Sequence, residues 1–331
     1  MILDNLWYGN HALGWTLVPF SGLFCAWVGI RRQAYKQGLF RSESVPVPII
    51  VVGNLTVGGT GKTPLVIWLG QFLKQHGFQP GIVSRGYGGH AQQWPQPVYP
   101  NSDPQQVGDE PVLLARQSGC PVAVAPQRVM AVQSLLKNEG CNLIISDDGL
   151  QHYALSRDIE IAVLDDTRRY GNRRCLPAGP LREPLSRLKE VDFIVTKGIA
   201  LPHEFSMQYD LKPLRNVANN PLSLPLKALK GQTVHALAGI GYPAKFFQLL
   251  RDQGLKLHCH EFSDHYYYKY GDIQFDDHLS VIMTEKDAVK CQHFAGPQHW
   301  YLPIQARLPD SFGRQLLQQL QQRIQHGQEI T

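Results

Sequence analysis

The amino-acid sequence predicts an α/β protein built on a doubly wound, mostly parallel sheet, and three observations carry that expectation. Apolar, β-branched runs recur along the chain, helix-like segments separate them, and a glycine-rich loop joins the first run to the first such helix. Strands that read as continuous apolar runs are buried on both faces, as in a parallel sheet covered by helices. At 331 residues the chain exceeds what a single core usually covers, so two domains are expected.

The first segment, residues 1–35, has no charged side chain between Asp4 and Arg31 and carries Trp7, Trp15, Phe20, Leu23, Phe24 and Trp27. Arg31, Arg32, Lys36 and Arg41 follow it. A secretory signal would place positive charge before the apolar run and a small-residue cleavage site after it. The order here is the reverse, and the segment reads as a membrane-associated helix that either spans or lies at the interface. Pro19 and the polar Asn10, His11, Thr16 and Ser21 weaken a clean span, and a buried core helix is the alternative. Under either membrane reading, the basic cluster keeps the rest of the chain on the cytoplasmic side.

Residues 36–212 read as the core domain. Val47–Val52 is its first strand, followed by the glycine loop and a helix through Leu65, Trp68, Leu69 and Phe72. Further strands are expected at 81–84, 122–125, 143–145, 159–164 and 193–195. Between Tyr87 and Pro111 the chain is rich in Pro, Gln and Gly without periodicity, and a loop of that length is usually functional. The Pro-rich stretch from Pro213 to Pro225 is the expected seam to a smaller α/β domain, 213–331, with strands near 234–237 and 281–283. Leu316, Leu317, Leu320 and Ile324 mark one face of a closing helix.

Composition narrows the function classes. Hydrophobic residues make up 43% and charged ones 18%, which describes a folded protein. The formal net charge of +5 suits a phosphate-rich ligand or an anionic surface, and no tract interleaves basic and aromatic residues as a nucleic-acid face would. No nucleic acid is expected. The cysteines at 25, 120, 141, 175, 259 and 291 include no C-x-x-C pair, so they read as reduced thiols.

The loop carries the chemistry. Thr56-Val57-Gly58-Gly59-Thr60-Gly61-Lys62-Thr63 sits between a strand and a helix, the setting of a P-loop. Its backbone amides would cradle the phosphates of ATP, Lys62 would reach the β/γ oxygens, and the Thr63 hydroxyl would hold Mg²⁺. The usual pattern has glycine where Thr56 stands. An acid at a neighbouring strand end is also required, and Leu143-Ile144-Ile145-Ser146-Asp147-Asp148 provides two. Paired acids beside triphosphate imply a divalent cation. Asp165 and Asp166 end another strand in the same form, with helix capping or a surface turn as an equal reading. Gln151 and His152 follow the first pair and favour it. The expected class is therefore a P-loop NTPase-type core with a second, smaller α/β domain and an N-terminal membrane-associated helix.

Taken together these residues resemble the tetraacyldisaccharide 4'-kinase family of Gram-negative bacteria. The resemblance covers almost the whole chain. It rests on Val52 through Pro64, Ser84-Arg85-Gly86-Tyr87-Gly88, Gly108-Asp109-Glu110-Pro111 and Asp147 through His152. It continues in Leu176 through Pro184, Gly239-Ile240-Gly241-Tyr242-Pro243, Asp264-His265 and Thr284 through Lys290. The family transfers the γ-phosphate of MgATP to the 4'-hydroxyl of an acylated glucosamine disaccharide 1-phosphate at the inner face of the inner membrane.

The resemblance implies that Asp109 is the base for the sugar hydroxyl, in a dyad with His265. It places Glu183 near Mg²⁺ and Arg182 facing phosphate. Arg85 would meet the 1-phosphate, and Glu110, Gln151 and His152 would stand at the substrate or behind the ligands. It implies an acylated lipid partner and a membrane surface, and no obligate protein partner. From the residues alone, Asp109 reads as a helix N-cap, His265 as part of an aromatic cluster, and Arg182 with Glu183 as a surface pair. A dimerising switch ATPase is the rival class, but its signature lysine before the two glycines is Val57 here.

Overall fold

The computed structural model describes residues 6–9 and 13–328. It holds two sheets. The larger has nine strands in the order β15-β8-β7-β6-β1-β5-β2-β4-β3. These are β1 (Ile49–Gly53), β2 (Pro80–Ser84), β3 (Gln96–Val98), β4 (Val122–Val124), β5 (Leu143–Ser146), β6 (Ile159–Asp165), β7 (Phe193–Lys197), β8 (Phe205–Leu211) and β15 (Ile304–Arg307). The smaller sheet has the order β10-β9-β14-β13-β11-β12. Its strands are β9 (Leu214–Asn216), β10 (Ser223–Leu224), β11 (Thr233–Ala238), β12 (Lys256–Glu261), β13 (Val281–Thr284) and β14 (His299–Leu302).

Every strand expected from an apolar run is present, and the runs from β1 to β7 pair in parallel except at the β3 edge. All five residues of β1 are buried, as its unbroken Ile-Ile-Val-Val-Gly run requires of a strand covered on both faces. The strands that went unforeseen are short or polar: β3 falls inside the Gln- and Pro-rich loop, and β12 is a mostly exposed edge. Their pairing partners, not their own composition, hold them in the sheet.

The helices that position the site are α1 (Val18–Lys36), α2 (Lys62–Gln75), α3 (Asp109–Ser118), α4 (Arg128–Glu139), α5 (Pro243–Asp252), α6 (Glu285–Cys291) and α7 (Asp310–Gln328). On α7, Phe312, Leu316 and Leu320 are fully buried in the core of the larger sheet, where the Phe312 ring meets Trp68, Phe193 and Phe205. Residues 213–331 therefore do not stay together: the chain leaves the smaller sheet after β14, and β15 and α7 return to the larger one. The apolar stripe on α7 is legible in the sequence, but the core it fills is a tertiary choice.

Two readings of the N-terminal region change. Among the described residues, no helix is long and apolar enough to cross a membrane. On α1 only Ser21 is buried, while Phe20, Leu23, Trp27 and Ile30 are 60–71% exposed. The cysteines are not all free thiols: Cys25 on α1 is joined to Cys175 as a disulfide, with Cα atoms 6.3 Å apart. The pair is 150 residues apart in sequence, a separation that spacing rules for local pairs cannot detect.

Candidate functional site

The glycine loop connects β1 to α2, and two glycines make its path possible. Gly58 has φ +111° and Gly61 has φ +96°, both in the left-handed region that side chains resist. A Cβ on Gly61 would stand 2.5 Å from the Tyr209 hydroxyl. Thr56 is outside that region, which explains why the first glycine of the usual pattern is dispensable here. Its backbone instead bridges to Leu181. Val57 N donates to Pro180 O at 2.8 Å and Arg182 N to Leu55 O at 2.6 Å.

That short pairing delivers Arg182 and Glu183 to the loop. Arg182 Nη1 donates to both oxygens of Asp148 at 3.1 Å. Lys62 Nζ lies 3.5 Å from Asp148 Oδ1 and donates to Asn54 Oδ1 at 3.1 Å. Burial pushes the Asp148 carboxyl up, but Lys62 and Arg182 outweigh it and hold the group below its ordinary range. Gln151 Nε2 donates to Glu183 Oε1 at 2.8 Å and to Asn54 O at 3.2 Å, and its Oε1 accepts from Arg182 at 3.4 Å. Glu183 is fully buried, and its second oxygen accepts from the Tyr153 hydroxyl.

Asp147 lies deeper, 1% exposed. Burial, then the charges of Glu110 and Asp148, push its carboxyl up to about 7. Its Oδ2 accepts from Ser84 Oγ at 3.3 Å, while its Oδ1 has no hydrogen-bond partner. The buried Arg128 donates to the carbonyls of Asp147 and Asp148 at 3.2 and 3.1 Å and so holds the strand end in place. Burial, with Arg128, Arg157, Arg31 and Arg85 nearby, brings His152 down to about 4, so its imidazole is neutral at physiological pH. Arg85 itself is exposed at the end of β2.

A second cluster forms where the two sheets meet. Asp109 opens α3; the N-cap is Gly108, at φ +93°, so the capping expectation for Asp109 is displaced by one residue. Asp109 Oδ1 accepts from Glu110 N at 2.9 Å, and His265 Nδ1 lies 3.0 Å from the same oxygen. His265 comes from the smaller-sheet side and holds φ +59°, a backbone state rare outside glycine. Burial would raise the Asp109 carboxyl, but the His265 hydrogen bond and the charges of Lys286 and Lys290 hold it at about 2. The same bond raises His265 above its ordinary value. Tyr87 meets the His265 ring edge-on at 5.1 Å, so the cluster is not merely the Tyr266–Tyr268 aromatic group.

The acids at the end of β6 are committed elsewhere. Asp165 accepts from the backbone of Thr167 and Arg168 and pairs with Lys245 of α5 at 2.8 Å; Asp166 accepts from Ile199 N. The turn-and-capping reading describes them.

The chain matches a family model described as tetraacyldisaccharide-1-P 4'-kinase over residues 13–321. It belongs to that kinase family. Relatives named tetraacyldisaccharide 4'-kinase include one from Nitrosococcus oceani, 56% identical over 97% of this chain and 95% of the relative. One from Tolumonas auensis is 47% identical over 98% and 99%. The crystal structure of LpxK from Aquifex aeolicus in complex with ATP superposes with TM-score 0.79 at 30% identity, covering 94% of this chain and 99% of that one.

Within this 4'-kinase fold, the structure brings Lys62, Asp148, Arg182, Gln151 and Glu183 together on one side, and Asp109, Glu110 and His265 together on the other. Asp147 lies between them, close enough to feel the Glu110 charge. Four residues escaped the sequence reading. Asn54 donates to the carbonyls of Thr56 and Gly58 and accepts from Lys62, and Arg128 donates to the carbonyls of Asp147 and Asp148, contacts that no local pattern announces. Lys286 and Lys290 lie in a stretch singled out by resemblance but given no role.

Proposed function

We propose that this chain transfers the γ-phosphate of MgATP to the 4'-hydroxyl of a tetraacylated glucosamine disaccharide 1-phosphate, a step of lipid A biosynthesis. The observation that supports it is the Asp109–His265 pair, which bridges the two sheets beside the unit that carries the Lys62 loop, in a chain of the 4'-kinase family. Phosphoryl transfer needs an aligned hydroxyl and neutralised charge more than covalent chemistry. The backbone of residues 56–61 would cradle the triphosphate, and Lys62 would turn from Asp148 and Asn54 toward the phosphate oxygens. Arg182 would offer its guanidinium to the same anion.

The residues fit a magnesium ion. Asp147 has a buried oxygen with no hydrogen-bond partner, and Asp148 faces the loop beside it. Mg²⁺ keeps several waters and binds through one or two carboxylates plus phosphate, which these two acids beside the loop could supply. Thr63, Asp147 and Asp148 would hold it. When bound it neutralises charge on the transferring phosphoryl group. Glu183 accepts from Gln151 and Tyr153 with one oxygen each, so it orients Gln151 and, through it, Arg182, and each oxygen keeps a lone pair toward the expected cation site.

In the acceptor half, Asp109 takes the proton from the sugar hydroxyl, and His265 holds the carboxylate in one orientation. Asp109 sits at the N-terminus of α3, where the helix dipole favours its charged form. The exposed stripe of Phe20, Leu23, Trp27 and Ile30 on α1 would lie in the bilayer surface, with the basic end of the helix toward anionic headgroups. Arg31 Nη1 donates to Gln151 O at 3.3 Å, which ties that helix to the site. Placement at the cytoplasmic face of the inner membrane follows from this reading. Incubating the purified protein with γ-labelled ATP, magnesium and disaccharide 1-phosphate tests it: label should appear in the lipid, and its absence with intact ATP binding would overturn the proposal.

A further inference from the structure

The second helix of the smaller-sheet unit aims two ammonium groups at the acceptor cluster. Lys286 and Lys290 are one helical turn apart on α6, so they share a face, and that face packs on α3. Lys286 Nζ donates to Glu110 Oε1 at 2.9 Å and to Asp264 Oδ1 at 3.1 Å. It also stands 3.4 Å from His265 Nε2. Lys290 Nζ lies 3.0 Å from Asp287 Oδ1 and 5.0 Å from the Tyr268 ring centre.

Neither lysine donates a hydrogen bond to Asp109. Their nitrogens stand 3.9 and 3.7 Å from Asp109 Oδ2, near enough to favour its charge and beyond hydrogen-bond distance. Oδ2 lies 3.2 Å from His265 Nδ1, and with no lysine bound to it directly it keeps a lone pair for an incoming hydroxyl proton. Both lysines are mostly covered, with side chains 13% and 8% exposed, so the attraction is weakly screened. The acids Asp109, Glu110, Asp264 and Asp287 surround them, and it is the charges of the two lysines that help hold the Asp109 carboxyl low against its burial.

We propose that Lys286 and Lys290 are positioning residues for the transfer reaction, holding Asp109 as a carboxylate and keeping it and His265 aimed from the smaller-sheet side. The inference rests on the reading of Asp109 as the base. It makes the competence of that base depend on the two sheets being docked, because Asp109 belongs to one side and His265, Lys286 and Lys290 to the other. Asp109 is faced by Glu110 from its own helix, His265 from the loop after β12, and Lys286 and Lys290 from α6; Asp264 pairs with Lys286, Asp287 and the Tyr268 ring meet Lys290, and Tyr87 meets His265 from the loop after β2.

The test compares Lys286→Met, Lys286→Arg and Asp109→Asn in the full chain, reading kcat and KM for ATP across pH. Loss of a cation raises the pKa of both Asp109 and His265, so the acid limb of kcat in Lys286→Met should move up by about one pH unit. Asp109 stays ionised at neutral pH in either protein, so the kcat there should fall about tenfold through lost alignment of the carboxylate, with KM for ATP within about twofold of the parent. Lys286→Arg should restore most of the rate and the original limb. Should Lys286→Met not fold, Lys290→Gln supplies the same pH profile. If Asp109→Asn is inactive while Lys286→Met or Lys290→Gln keeps the parental acid limb, the lysines have no positioning role and this inference is overturned. If Asp109→Asn retains transfer, the base reading itself fails.

Discussion

His265 Nδ1 lies 3.0 Å from Asp109 Oδ1, and the two residues come from opposite sides of the boundary between the nine-stranded and six-stranded sheets. The acceptor half of the site is thus completed only by tertiary docking, whereas the phosphate loop is complete within one strand–loop–helix unit. This division organises what the protein should do when individual residues are changed.

Asp109→Asn should remove the proton acceptor while leaving the phosphate loop untouched. Transfer to the lipid should drop on the order of 10²–10⁴-fold, as expected for loss of a general base. MgATP affinity, measured by titration calorimetry, should stay within about threefold of the parent. An unchanged kcat would remove Asp109 from the mechanism.

The Asp109–His265 pair should also leave a mark on stability. Asp109 is held at about 2 against an ordinary 3.8, so its contribution is present above pH 3.8 and is lost as pH falls toward 2. His265 is raised, so its contribution is full below its ordinary 6.5 and is lost as pH climbs through the raised value. The difference in unfolding free energy between parent and His265→Gln should therefore peak near pH 5, at roughly 1–2 kcal/mol, and shrink on both sides. Urea denaturation at a series of pH values measures it; a flat difference contradicts the ion pair.

Gly61→Ala should disable the loop. Its φ of +96° is strained for alanine, and the new Cβ would meet the Tyr209 hydroxyl at 2.5 Å. We expect a loss of roughly 1–3 kcal/mol in stability and ATP binding weakened by tenfold or more. Wild-type binding in this variant would show that the loop relaxes at no consequence.

Leu23→Gln combined with Trp27→Gln should release the protein from anionic vesicles without unfolding it. Both side chains are exposed and make no part of the core, so the midpoint of thermal unfolding should barely move. Vesicle co-sedimentation should fall several-fold. Undiminished co-sedimentation would show that α1 is not the contact surface.

Much of this molecule was legible before its structure. The strands from β1 to β7 announced themselves because a strand buried on both faces must be apolar throughout, and the loop because only glycine tolerates the turns at 58 and 61. The acids at 147 and 148 followed from the same local logic. Asp109 was harder: an acid after glycine ahead of Leu113 and Leu114 has the form of a cap, and only resemblance suggested more. Glu183 was placed by resemblance beside the cation, and its hydrogen bonds to Gln151 and Tyr153 come from chain segments about thirty residues away that no local pattern links to it.

What the sequence by itself determined, then, is every feature encoded within about one strand and one helix: the phosphate loop, the acid strand end, the apolar face of α7 and the apolar run of α1, whose exposure only the structure gave. What only the tertiary structure decided are the relations between segments far apart in the chain. These are the pairing of Asp109 with His265 and the two lysines of α6, the return of residues 304–328 to the first sheet, and the joining of Cys25 to Cys175. The reason is physical. Periodicity and turn chemistry act over a few residues, while docking depends on which buried surfaces and charges find each other once the whole chain has folded.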